Sequence, residues 1–173
     1  DHSSDAAAVQ LPAPANVRAI GYDRHVELQW DPAPGSPAVG RYIIYRSLEG
    51  GPFEPVGIQL PGLYRYMDFL GKSGAKAEYK VAISSPDYKL SPFSSTAKAE
   101  TRELSDDELL TMLQEACFHY YWEGADPNSG MARENIPGDD RIIATGASGF
   151  AISALIVGAD RGFITRKQAL DRM

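Results

Sequence analysis

Between Trp122 and Asp140 the chain gathers the carboxylates Glu123, Asp126, Glu134, Asp139 and Asp140, together with Arg133. Hydrolysis of a glycosidic bond needs two opposed carboxyl groups, one as acid and one as base or nucleophile. This stretch can supply one of them, but spacing along a loop does not set the separation of a pair. Arg133 offers a rigid fork of donors, and Trp122 a flat ring against which a sugar can stack. A solvated acidic loop is the competing reading, and composition alone favours it.

The elements that must position these groups are helices. Glu123 to Gly130 is dense in turn formers, which stops the preceding helix near Trp122. Met131 to Asp140 continues without a clear period. Loops of about twenty residues are uncommon in compact folds and are usually functional when ordered. The first helix starts at Ser105, with Glu108 completing a capping box and Leu104 and Leu109 placed for a hydrophobic staple. Asp106, Asp107 and Glu108 sit at the positive end of the helix dipole and read as structural. Leu109, Leu113, Ala116, Cys117, Tyr120 and Tyr121 form one apolar stripe. Its aromatic end, Phe118 to Trp122, is either a sugar-facing mouth or a buried helix end, and composition favours the latter. His119 reads as hydrogen-bonded structure. Cys117, the only cysteine, excludes an internal disulfide and reads as a buried structural thiol.

Thr145 to Gly162 predicts a second helix. Its small residues let neighbouring backbones approach, and Phe150, Ile152, Leu155, Ile156 and Val157 predict cover on most sides. Gly146-Ala-Ser-Gly149 is not a phosphate loop, because it lacks the Lys-Ser/Thr pair and follows no strand. Gly162 ends the helix, and Thr165 with Gln168 opens a third.

Before Ser105 the period changes from helical to alternating. Strands are expected at Val17–Gly21, His25–Trp30, Arg41–Arg46, Phe53–Ile58, Tyr64–Phe69, Glu78–Ile83 and Ser94–Thr101. Asp31–Pro37 can only be a loop, since proline removes ladder donors. Regularly spaced short strands with Gly/Pro turns predict an antiparallel β-sandwich. Tyr42, Tyr45, Tyr64 and Tyr66 read as packing rather than as a carbohydrate platform, and His25 as solvated. His2, His25 and His119 are far apart, and no Cys or His pair stands at ligand spacing, so no metal site is expected.

The net charge of −6 argues against a nucleic-acid partner. No run of about 20 apolar residues predicts a transmembrane segment.

Trp30 after Val26 and Leu28, then Gly40-Arg-Tyr-Ile-Ile-Tyr-Arg46, Tyr66-Met-Asp68 and Tyr79-Lys-Val-Ala-Ile83, resemble the B, C, E and F strands of a fibronectin type III domain. The resemblance implies such a domain over residues 12–102, with Tyr79 bonding back to nearby backbone as a tyrosine corner. Phe118 to Arg133, Ala144 to Phe150 and Val157 to Arg166 resemble the opening of the bacterial glucoamylase-like family, which includes endo-β-1,2-glucanases. That resemblance covers residues 105–173 and implies the first helical hairpin of an (α/α)6 toroid. The expected fold class is therefore multidomain, β then α.

The resemblance further implies a glycoside hydrolase acting on β-linked glucan without a cofactor, with Trp122, Glu123, Asp126 and Arg133 contacting substrate. It assigns no catalytic acid or base here, so the chain is expected to be an incomplete piece, inactive as it stands. A periplasmic, outer-membrane-associated or secreted location goes with it. Residues 1–11 then read as the tether of an exported protein with its signal removed, with room for a lipid anchor upstream, or else as a plain terminus. A non-catalytic glycan-binding module and a structural or interaction protein are the alternative functions.

Overall fold

Alternation of apolar and polar side chains builds the first part of the chain, and helix capping builds the second. The computed structural model describes residues 11–33, 39–136 and 138–173. The chain divides into two compact units between Leu104 and Ser105. Of the expected tether only Leu11 is described, and it is buried in the core of the first unit. Most of the expected proline-rich loop lies outside the described residues.

The first unit contains β1 (Ala15–Gly21), β2 (His25–Asp31), β3 (Arg41–Leu48), β4 (Glu54–Gln59), β5 (Arg65–Phe69), β6 (Lys76–Ser84) and β7 (Ala97–Glu100). They form a three-stranded sheet, β1-β2-β5, and a four-stranded sheet, β4-β3-β6-β7. All pairings are antiparallel: Leu28 stands between Ala19 and Tyr66, and Ile44 between Gly57 and Val81. Side chains of period two meet between the sheets. Val26, Leu28 and Trp30 from one sheet share a buried cluster with Tyr42, Ile44, Tyr79, Val81 and Ile83 from the other. An antiparallel β-sandwich is therefore the architecture of this unit. The last strand begins at Ala97, later than the expected Ser94. Upstream of it, the Ser91 and Ser94 hydroxyls accept the backbone N–H groups of Ile83 and Val81 at 2.9 and 3.0 Å. The Ser91 and Ser94 N–H groups return to the Ile83 and Val81 carbonyls, both at 2.9 Å, so a mixed ladder of backbone and side chain flanks Pro92.

Tyr42 is buried in the core, with Tyr64 and Tyr66 packed against it, whereas Tyr45 meets Phe93 edge-on at 5.0 Å. The tyrosine-corner expectation needs correction. The Tyr79 hydroxyl donates to the carboxylate of Asp68 at 2.8 Å, not to backbone. Arg46, directly across from Tyr79 in the β3–β6 register, donates to both oxygens of the same carboxylate, at 3.0 and 2.9 Å. Asp68 lies on the opposite sheet, and its inward position offers a stronger acceptor than any nearby carbonyl. The Tyr66 hydroxyl does bond backbone, donating to the Val56 carbonyl at 3.0 Å. The Tyr66 ring closes on the backbone at Gly57, where an added Cβ would lie 2.2 Å from it. His25, expected to be solvated, stacks on Tyr22 with centroids 5.1 Å apart.

The second unit contains α1 (Asp106–Trp122), α2 (Thr145–Asp160) and α3 (Arg166–Arg172). Both capping boxes form, Ser105 with Glu108 and Thr165 with Gln168. Gly162 takes φ of +77° after α2, a conformation that suits glycine. The core is Phe118, Leu155, Ile164 and Ala169, with Trp122, Ala154, Ala159 and Phe163 packed against it. The α2 backbone meets Phe118 at Gly158, where a Cβ would come within 2.4 Å of the ring.

Two helix expectations are overturned. Leu109 and Leu113 of the expected stripe are exposed, as is Cys117. The face of α1 turned inward is centred instead on Phe118, because the small face of α2 accepts that ring. Phe150, Ile152, Ile156 and Val157 are exposed rather than covered. Among the described helices, α1 and α3 pack against α2, and its buried residues are Leu155 and Gly158. No helix among the described residues is long and apolar enough to cross a membrane.

Candidate functional site

The segment joining α1 to α2 is more ordered than its composition suggests. The C-terminal end of α1 closes on Glu123, whose N–H reaches the His119 carbonyl at 3.0 Å. Isolated bridges then pair Ala125 with Ala132, and Arg133 with Ile143. The first turn is tied by Asp126 N–H to the Met131 carbonyl at 2.8 Å and by Gly130 N–H to the Asp126 carbonyl at 2.8 Å. The second return is tied by Glu134 N–H to the Ile142 carbonyl at 3.2 Å and by Ala144 N–H to the Ala132 carbonyl at 2.9 Å. Ala125 and Ala132 are buried, which seats the bridged strands against the helices.

The polar groups of this loop are largely organised by one another. Asp126 Oδ1 accepts from the Ser129 N–H and hydroxyl, both at 2.8 Å, and from the Asn128 N–H at 3.1 Å. Those bonds, the Ser129 backbone first, hold the Asp126 carboxyl below its ordinary value, and the charge of Arg133 adds to the effect. The bidentate bonds from Arg141 do the same for Asp139. Neither group is therefore in the protonated state that a general acid needs at neutral pH. A carboxyl-carbon titration should place the midpoint of Asp126 below the ordinary 3.8. The loop order it supports is present above that value and is lost as pH falls through the shifted midpoint. A midpoint at or above 3.8 would show that the Ser129 turn does not form in solution.

Of the four expected contact residues, the structure brings Asp126 and Arg133 within electrostatic reach of each other. Arg133 places one guanidinium nitrogen 2.8 Å from Asp140 Oδ1. Its Nε is buried and has no partner among the described residues. Glu123 lies 3.2 Å from His119 Nδ1, one turn back on α1. Trp122 joins the small core: it is stacked with Phe118 at 6.0 Å, and the Arg172 guanidinium sits 4.5 Å above its ring. The sequence reading did not single out Ser148, whose hydroxyl binds Ala132 N–H at 3.0 Å. Its one cue is a serine early in a helix, where propensity favours alanine. A shallow cleft of about 490 Å³ lies elsewhere, on the sandwich between Glu49, Lys76, Glu78, Lys98 and Glu100. Lys98 and Glu78 within it pair with each other at 2.6 Å.

Strand order and packing define a sandwich followed by a small helical unit with an ordered, charged loop. The chain matches no family model. It is 49% identical to an exo-β-1,2-glucooligosaccharide sophorohydrolase (non-reducing end) of Parabacteroides distasonis, over 164 residues that make up 94% of this chain and 22% of that protein. It is also similar to the crystal structure of a β-1,2-glucanase from Parabacteroides distasonis, with a TM-score of 0.82 and 45% identity over 95% of this chain and 24% of that one. An Fn3-like protein from Clostridium thermocellum is 25% identical with a TM-score of 0.45, over 56% of this chain and 99% of that one. That likeness is too loose to carry the sandwich assignment, which rests on the strand pairing. The chain thus spans less than a quarter of the length of the two Parabacteroides distasonis proteins it matches.

Proposed function

We propose that this chain is part of a glycoside hydrolase that cleaves β-1,2-linked glucan by carboxylate acid–base chemistry. The observation that carries the reading is the 49% identity, sustained over 94% of the chain, to a sophorohydrolase acting on β-1,2-glucooligosaccharides. The 164 matched residues take in both the sandwich and the helical unit. In this reading the sandwich is of the fibronectin type III kind, and α1 and α2 are the opening hairpin of an (α/α)6 toroid, in an exported protein. The exposed apolar faces of both helices accord with further helical neighbours.

The part played by this chain is substrate contact. Arg133 is the leading contact group, with a buried Nε that has no partner among the described residues, and Asp126 supplies a fixed acceptor for sugar hydroxyls. Glu123 and Trp122 complete the proposed set as the wall at the end of α1, Trp122 meeting sugar only where Arg172 swings off its ring. Proton transfer belongs to carboxyl groups outside the Asp126 and Asp139 turns.

The test is digestion by the full-length protein of β-1,2-, β-1,3- and β-1,4-linked glucans and their oligosaccharides, with products separated by chromatography. Cleavage of the β-1,2 substrates is expected. Arg133→Ala should lower kcat/KM about ten- to a hundredfold, the range for a hydrogen bond from a charged group. Activity confined to other linkages, or none on any glucan, would refute the reading.

A further inference from the structure

The backbone at Ala132 and Arg133 is clamped from two helices at once. From α1, the Tyr120 hydroxyl donates to the Arg133 carbonyl. From α2, Ser148 Oγ accepts the Ala132 N–H at 3.0 Å and donates to the Ala144 carbonyl at 2.8 Å. Ala144 N–H returns to the Ala132 carbonyl at 2.9 Å, closing the ring of bonds. Ala132 itself is 1% exposed.

Neither hydroxyl is required by packing. Phenylalanine would fill the ring space of Tyr120, and alanine at 148 would suit the helix better than serine does. One hydroxyl fixes the Arg133 carbonyl, and the other fixes the N–H of Ala132, the residue that leads into it. We propose that Tyr120 and Ser148 are positioning residues for glucan binding, holding the Arg133 guanidinium in its sugar-contacting place before substrate arrives. The inference rests on the glucan reading above. A donor aimed in advance loses less freedom on binding than one carried by a loose loop. The two hydroxyls touch no sugar themselves, so their removal acts on binding through Arg133.

The experiment uses the full-length protein with β-1,2-glucooligosaccharide as substrate and the variants Tyr120→Phe, Ser148→Ala and Ser148→Thr. Tyr120→Phe and Ser148→Ala should each raise KM about three- to tenfold, the loss expected from one hydrogen bond. Their kcat should stay within about twofold, since ground-state and transition-state contacts weaken together. Ser148→Thr keeps the hydroxyl and should keep the wild-type KM. Melting temperature and circular dichroism separate this effect from misfolding, with Ser148→Thr as the folded control. Unchanged KM in both hydroxyl-deleting variants, a fall confined to kcat, or equal impairment of Ser148→Thr and Ser148→Ala would each overturn the inference while leaving the glucan reading standing. A wild-type protein without activity on β-1,2-glucooligosaccharide would overturn that reading, and this inference with it.

Discussion

Asp68→Ala is expected to lower the unfolding free energy of the sandwich by about 3 kcal/mol, the low end of the range for removing one partner from a buried ion pair. Asp68 is 6% exposed, and its carboxylate accepts from Arg46 and Tyr79, both of which come from the facing sheet. Its loss leaves a guanidinium and a phenol facing an apolar interior. The Arg46 side chain is 25% exposed, so water relieves part of the cost, which sets the estimate low. Asp68→Asn keeps an acceptor for Tyr79 and should cost less. Urea unfolding followed by Trp30 fluorescence, in a Trp122→Phe background, isolates the sandwich. An unchanged midpoint for Asp68→Ala would mean the clasp contributes nothing.

The same cluster sets an alkaline limit. Burial, and then the bond to Asp68, push the Tyr79 hydroxyl far above the ordinary 10.0. The folded state therefore keeps a proton that the unfolded chain gives up. The associated stability is fully present below pH 10.0 and declines as pH rises beyond it. Tyr79→Phe should flatten that decline without abolishing it, because burial also raises Tyr42 and Tyr66.

Gly158→Val should destabilise the helical unit by about 3 kcal/mol through overpacking. The new Cβ would stand 2.4 and 2.8 Å from two carbons of the Phe118 ring. That ring cannot simply move, because Trp122 and Phe163 lie against it at 6.0 and 5.8 Å. Valine is also a poorer helix former than the unbranched residues, so propensity offers little relief. Gly149 in the same helix has open space at its Cβ position. Gly149→Ala should therefore stabilise the unit by about 0.5–1 kcal/mol. Thermal unfolding followed by Trp122 fluorescence, in a Trp30→Phe background, reads both. Equal destabilisation by the two substitutions would show that the Phe118 contact is not what selects glycine at 158.

Local signals predict structure where the physics is local. Strand alternation, Ser105 with Glu108, Thr165 with Gln168, and the turn residues after Trp122 act over a few positions, and each element forms close to its expected bounds. The apolar stripe of α1 misled because a helix can carry more than one apolar face. Periodicity finds such faces without saying which neighbour each one meets. The bridges at Ala125–Ala132 and Arg133–Ile143 left no mark in composition, since they are backbone pairings between residues of unremarkable type.

The sequence by itself determined the division into a β-sandwich and a helical segment, the starts and ends of the helices, and a charged loop between α1 and α2. Those features follow from propensity, capping and period, which depend on near neighbours along the chain. Only the tertiary structure decided that Asp68 takes the Tyr79 hydroxyl, that Phe118 rather than Cys117 turns inward, and that Trp122 packs beside Arg172. It also decided that Tyr120 and Ser148 converge on the adjoining backbone of Arg133 and Ala132. Each of these is a pairing across elements, settled by which side chains the folded sheets and helices bring within about 3–6 Å of one another.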